Sequence, residues 1–120
     1  MALADPQSVT FASGAVSLPR TSSGVNSSSY TSADGAVKLL ASHQYGKRVR
    51  RTARISSDKI TTDPLVTGAN IRVSASAYVV LDVPTAGFTA DEQKGLLLAI
   101  STWLSASTGA NATKLVGGEN

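Results

Sequence analysis

The stretch Asn70-Ile-Arg-Val-Ser-Ala-Ser-Ala-Tyr-Val-Val-Leu-Asp-Val-Pro84 and its continuation Gly87-Phe-Thr-Ala-Asp-Glu-Gln-Lys-Gly-Leu-Leu-Leu-Ala-Ile-Ser-Thr-Trp-Leu104 decide the fold. In the first part the period is two. Val73, Ala75, Ala77, Val79, Leu81 and Val83 share one face, and Arg72, Ser74, Ser76, Tyr78, Val80 and Asp82 share the other. That is a strand over 70–83 with an apolar and a polar side, stopped by Pro84. In the second part the period changes. Thr89-Ala-Asp-Glu92 matches a capping box, in which Thr89 caps a helix and Glu92 reaches back. Asp91 and Glu92 also suit the positive end of a helix dipole. Leu96, Leu97, Ile100, Trp103 and Leu104 follow as one apolar helical face. Gly109 is the predicted stop, and Asn111 is placed to cap a short second helix through Val116, before Gly117-Gly118.

Working back toward the N-terminus, the chain reads as β. Val9 to Ala12 and Ala15 to Leu18 flank a predicted tight turn at Ser13-Gly14. Residues 21–29 carry little hydrophobicity and fit a loop, a polar strand or a disordered linker. Ser29 to Ala33 is a weak strand signal, and Asp34-Gly35 a strong turn. Strands are expected over Ala36 to Gln44 and Arg48 to Ile60, the latter with a bend near Ser56-Ser57, joined by a turn at Tyr45-Gly46. The segment Thr61, Thr62, Asp63, Pro64, Leu65, Val66, Thr67, Gly68, Ala69 reads as a loop around Pro64 and Gly68. Strands first and helices last give an α+β protein with an antiparallel sheet. One face of such a sheet is expected to meet the helices, while the other stays open.

The chain has 120 residues, which fits one domain, and 42% apolar residues with only 5% aromatic. A core of that size is modest, and association would add to it. Without cysteine, disulfides and thiolate metal sites are excluded, and the single His43 builds no histidine cluster. Gly95 to Leu104, the best apolar run, is too short to span a bilayer. Met1 to Asp5 carries no basic segment of a secretory signal. No G-x-S-x-G, P-loop or H-E-x-x-H pattern is present, so no catalytic residue, metal or cofactor is assigned. Ser56-Ser-Asp-Lys59 formally fits S-x-x-K, a weak match in a Ser-rich chain.

Charge is local. The net charge is +3, yet residues 47–59 alone sum to +5, with Lys47, Arg48, Arg50, Arg51, Arg54 and Lys59 against Asp58. Alternation sets Arg48, Arg50, Thr52, Arg54 and Ser56 opposite Val49, Arg51, Ala53 and Ile55. It likewise sets Lys38, Leu40 and Ser42 opposite Val37, Leu39 and Ala41. Stacked in one sheet, Lys38, Ser42, Arg48, Arg50, Thr52, Arg54, Ser74, Ser76 and Tyr78 form a basic, hydroxyl-rich surface with one aromatic. Cations neutralise phosphates, hydroxyls bond phosphate or base edges, and an aromatic ring stacks on an unpaired base. A solvated face that blunts a sheet edge has the same pattern.

In order and spacing the chain resembles the coat proteins of small single-stranded RNA bacteriophages, the levivirus-like group. The residues that carry the likeness are Asp63-Pro-Leu-Val-Thr-Gly68, Val73 to Pro84, Gly87 to Glu92, the helix to Trp103-Leu104, and Leu115-Val-Gly-Gly-Glu119. The resemblance implies an N-terminal hairpin (1–20), a five-stranded antiparallel sheet (21–84) and two C-terminal helices (89–116) in a single coat-protein domain, 1–120. It implies an intertwined homodimer in which Leu96, Leu97, Ile100, Trp103 and Leu104 cover a sheet that partly belongs to the partner. It implies a T=3 icosahedral shell, assembled in the bacterial host cytoplasm, with residues 61–69 around its symmetry axes. The sheet would face single-stranded RNA, and in several members the dimer also binds an RNA hairpin and represses replicase translation. No membrane and no small-molecule substrate is implied. Leu40 and Val80 stand on the RNA face where that group often has polar residues. Two other classes share the basic sheet or the helix stripe: a dimeric nucleic-acid-binding regulator that forms no shell, and a surface or filament subunit that binds no nucleic acid.

Overall fold

The computed structural model describes residues 3–11 and 14–119. Seven strands precede one helical element: β1 Gln7–Phe11, β2 Gly14–Leu18, β3 Arg20–Ser23, β4 Ser27–Thr31, β5 Val37–Gln44, β6 Arg48–Thr62, β7 Asn70–Pro84 and α1 Ala90–Val116. β1 and β2 form a hairpin, and β3-β4-β5-β6-β7 form a five-stranded antiparallel sheet in chain order. The chain divides into two compact units, Met1–Asp82 and Val83–Asn120.

The hairpin is as expected, but Gly14 pairs with Phe11 as the first residue of β2. Gly14 therefore belongs to the strand, and the other half of the predicted turn, Ser13, lies outside the described residues together with Ala12. Val9, Phe11 and Val16 pack against a core of Leu18, Tyr30 and Val37, joined by Leu39. Leu18 and Tyr30 are fully buried. Thus the hairpin covers the apolar face of the sheet at β4 and β5. Arg20 seals the hairpin's base: its Nη2 donates to the Tyr30 hydroxyl at 2.9 Å and to the Leu3 carbonyl at 2.6 Å, and its backbone N–H donates to Asp5. The guanidinium holds the Tyr30 hydroxyl below the usual phenol range.

Residues 21–29 resolve as polar strand, turn and strand. Gly24 N–H bonds the Ser27 carbonyl at 2.7 Å to close the β3–β4 turn. A register shift between Arg20 and Ser22 marks a bulge. No apolar alternation exists there to announce a strand. Backbone pairing with β5, from Ser27↔Ser42 to Thr31↔Lys38, supplies the ladder instead.

The Asp34-Gly35 turn is built as expected, with Gly35 at φ +75°. The Asp34 carboxylate accepts from the Ser32 hydroxyl at 2.5 Å and from Ala36 N–H at 3.0 Å, and these bonds hold it below the usual carboxylate range. A depressed carboxyl stabilises the fold above its ordinary pKa, and that contribution is lost as pH falls through the lowered value. Ser32→Ala is expected to move the Asp34 titration up toward the ordinary range. Side-chain NMR titration reads this directly; an unmoved Asp34 would show that the hydroxyl does not set it.

β6 is longer than expected. Its pairing with β5 runs unbroken through Ser56↔Lys38 and Ser57↔Val37, with no shift at the predicted bend. Thr61 and Thr62, assigned to the loop, are the last residues of β6. β-branched side chains suit that extended backbone. The loop proper is 63–69. Asp63 N–H bonds the Ala69 carbonyl at 2.9 Å, Leu65 N–H bonds the Asp63 carboxylate at 2.9 Å, and Gly68 adopts φ +80°.

Thr89 caps α1, its hydroxyl accepting from Glu92 N–H at 3.2 Å. The expected two helices are both present within α1, separated by a kink. Ala106, Ser107, Thr108 and Gly109 leave helical geometry, so the first segment ends at Ser105, four residues before Gly109. Asn111 does not cap a new helix. Its Nδ2 donates back to the Trp103 carbonyl at 3.0 Å, satisfying an end of the first segment. Ser107 and Thr108 both take positive φ, 53° and 57°, a costly state for β-branched Thr108.

Candidate nucleic-acid interface

Register places the predicted basic residues on one face. Across β5 and β6, Lys38 opposes Ser56, Leu40 opposes Arg54, Ser42 opposes Thr52 and Gln44 opposes Arg50. In β7, Ser76 accepts from Arg54 Nη2 at 3.3 Å. Asp82 meets Arg48 Nε at 3.0 Å and Arg50 Nη2 at 3.7 Å. Asp58 meets Arg72 Nη2 at 2.8 Å. The contacts Asp58–Arg72, Arg54–Ser76 and Arg48–Asp82 step down one strand as they step up the other. That antiparallel spacing implies Thr52 beside Tyr78 and Arg50 beside Val80.

Lys38, Arg48, Arg50, Arg54, Ser74, Ser76 and Tyr78 are exposed, and Ser42 and Thr52 are half-buried. Tyr78 is 65% exposed, so its ring is available for stacking rather than packed away. Leu40 and Val80 are exposed on the same face. Thus all nine predicted binding residues share one side of the sheet.

Two features of this face escaped the sequence. First, β3 and β4 add hydroxyls. Ser27, Ser29 and Thr31 are in register with Ser42, Leu40 and Lys38. Ser22 Oγ lies 2.8 Å from Ser29 Oγ, and Thr21 Oγ1 lies 3.1 Å from Thr31 Oγ1. Only the strand pairing reveals them, because a Ser-rich run has no apolar period. Second, the face is partly self-neutralised. Its five cations, Lys38, Arg48, Arg50, Arg54 and Arg72, stand among two carboxylates, Asp58 and Asp82, for a net charge of +3.

On the opposite side of β6, Arg51 departs from its apolar neighbours. Its Nη1 lies 3.1 Å from His43 Nδ1 and 3.2 Å from the Tyr45 hydroxyl, and its guanidinium sits 5.5 Å from the Tyr45 ring centre. His43 thus has a structural partner in Arg51. Among the described residues no group of His, Asp or Glu could hold a metal, and no helix is long and apolar enough to cross a membrane.

In the second unit, no residue of α1 is buried in the single chain. Leu96, Leu97, Ile100 and Trp103 are exposed, Trp103 at 52%, while Leu104 is partly covered. Leu98, outside the predicted stripe, is exposed as well. In the 63–69 loop, Leu65 is 92% exposed.

No protein family and no curated protein matches the chain. Solved structures do. A virus-like particle of bacteriophage AVE019 superposes with a TM-score of 0.82 at 13% identity, over 100% of this chain and 98% of that one. The capsid protein of bacteriophage GA matches with a TM-score of 0.63 at 17% identity, over 97% and 95%. The coat protein of bacteriophage EMS014 matches with a TM-score of 0.61 at 18% identity, over 91% and 79%. The hairpin, the five-stranded antiparallel sheet and the C-terminal helical element are therefore the fold of RNA-bacteriophage coat proteins.

Proposed function

We propose that this chain, with the coat-protein fold of RNA bacteriophages, is a capsid subunit that dimerises, closes into an icosahedral shell and packages single-stranded RNA on the polar face of its sheet. The observation that carries the reading is the segregation of the surface. Basic and hydroxyl side chains collect on one side of the sheet, and an uncovered apolar stripe runs along the helix. A second copy of the chain is the natural cover for that stripe. Monomeric proteins rarely leave so many large apolar side chains in water, so the folded state depends on partner concentration. In a shell, Leu65 and its loop meet neighbouring loops about the symmetry axes. The RNA contacts supported here are general ones. Lys38, Arg48, Arg50 and Arg54 neutralise phosphate, Ser42, Thr52, Ser74 and Ser76 bond phosphate or base edges, and Tyr78 stacks. Leu40 and Val80 interrupt the polar surface, which favours packaging over tight recognition of one hairpin.

Negative-stain imaging of the expressed protein tests the shell. Closed particles of T=3 size carrying nucleic-acid absorbance are expected. A small dimer across several salts and pH values would overturn the shell and leave a nucleic-acid-binding regulator. Particles free of nucleic acid would keep the shell and remove the RNA face.

A further inference from the structure

Arg48, Arg50 and Arg72 are not bare cations. Asp82 offers one carboxylate oxygen to Arg48 and the other to Arg50, and Asp58 takes Arg72. These pairs lie on an exposed surface, where ion pairs add little to stability. Each carboxylate nevertheless occupies the same guanidinium edge that a phosphate would use, and repels the phosphate as well. Arg54 and Lys38 differ: among the described residues neither has a carboxylate within ion-pair reach.

We propose that Asp82 and Asp58 hold down the affinity of the sheet face for nucleic-acid phosphates, leaving Lys38 and Arg54 as its leading contacts. This rests on the reading of the face as an RNA surface. The physical sense is multivalent. When many subunits hold one strand, weak contacts sum to firm retention, and each can still let go and re-form as the strand is arranged. A face with all five cations free would grip each segment where it first landed.

The test measures binding of a short unstructured single-stranded RNA to the full chain over a range of salt. It compares the wild type with Asp82→Asn, Asp58→Asn, Arg54→Ala and Arg48→Ala. Each neutralised phosphate contributes about 0.7 to the salt slope on single strands. Each Asn variant is expected to steepen the slope by about that amount and to tighten binding about fourfold at physiological salt. Arg48→Ala is expected to weaken wild-type binding less than Arg54→Ala does, and to weaken Asp82→Asn more than it weakens the wild type. If Asp82→Asn fails to fold, Asp58→Asn carries the test through Arg72. Unchanged or weaker binding by the folded Asn variants, with Arg54→Ala still weakening it, would overturn the proposal while the RNA face stood. RNA binding indifferent to Arg54 would remove the face itself, and the proposal with it.

Discussion

Trp103→Ala is expected to abolish particles and to leave the protein aggregated or below the dimer. The chain has one tryptophan, and it lies half-exposed in a stripe with Leu96, Leu97 and Ile100. Under the proposed dimer a second copy buries that stripe. Truncating a buried Trp costs about 3–5 kcal/mol, through lost transfer energy and an unfilled cavity. Charged to association, this weakens the dimer on the order of a hundredfold to a few thousandfold. Size-exclusion chromatography with negative-stain imaging reads the outcome, and a normal yield of particles would refute the role. The residue is also its own reporter. Trp103 fluorescence should shift to the red on dilution of dissociated dimers, before global unfolding. Emission independent of concentration would show that no partner covers the ring.

Arg50→Ala with Arg54→Ala comes second in size. Shells should still form, because neither side chain lies in the helix stripe or the 63–69 loop. Their RNA content should fall. The two substitutions reduce the net charge of the face from +3 to +1. With about 0.7 of salt slope for Arg54 and less for Arg50, which Asp82 already engages, affinity drops about fourfold or somewhat more per subunit at physiological salt and its salt dependence flattens. Ultraviolet absorbance of purified particles and binding across a salt series check this. Unchanged RNA content would mean that RNA lies on another surface.

The legible parts of the chain were those whose signal is local. β7 declares itself because each residue from Val73 to Val83 carries its side of the alternation. Thr89 marks the helix start, since a capping hydroxyl needs only the next turn of backbone. The turns at Asp34-Gly35 and the loop glycine at Gly68 follow from positive φ. The illegible parts depended on partners distant in sequence. β3 and β4 are strands because β5 offers them a ladder. Asn111 turns back to the Trp103 carbonyl because the helix has already broken at Ala106.

The candidate face divides in the same way. Alternation within three strands by itself determined which side each arginine, serine and tyrosine occupies, because a strand's side chains alternate whatever lies beside it. Which strands lie side by side was decided only by the tertiary structure. That pairing brings Asp82 to Arg48 and Arg50 across 32–34 residues of chain, and Asp58 to Arg72. It also adds the hydroxyls of β3 and β4 to the basic surface, and sets the hairpin over Tyr30 and Val37. Charge neutralisation and core cover act through space over a few ångströms, and no local period in the chain encodes which distant residues will stand that close.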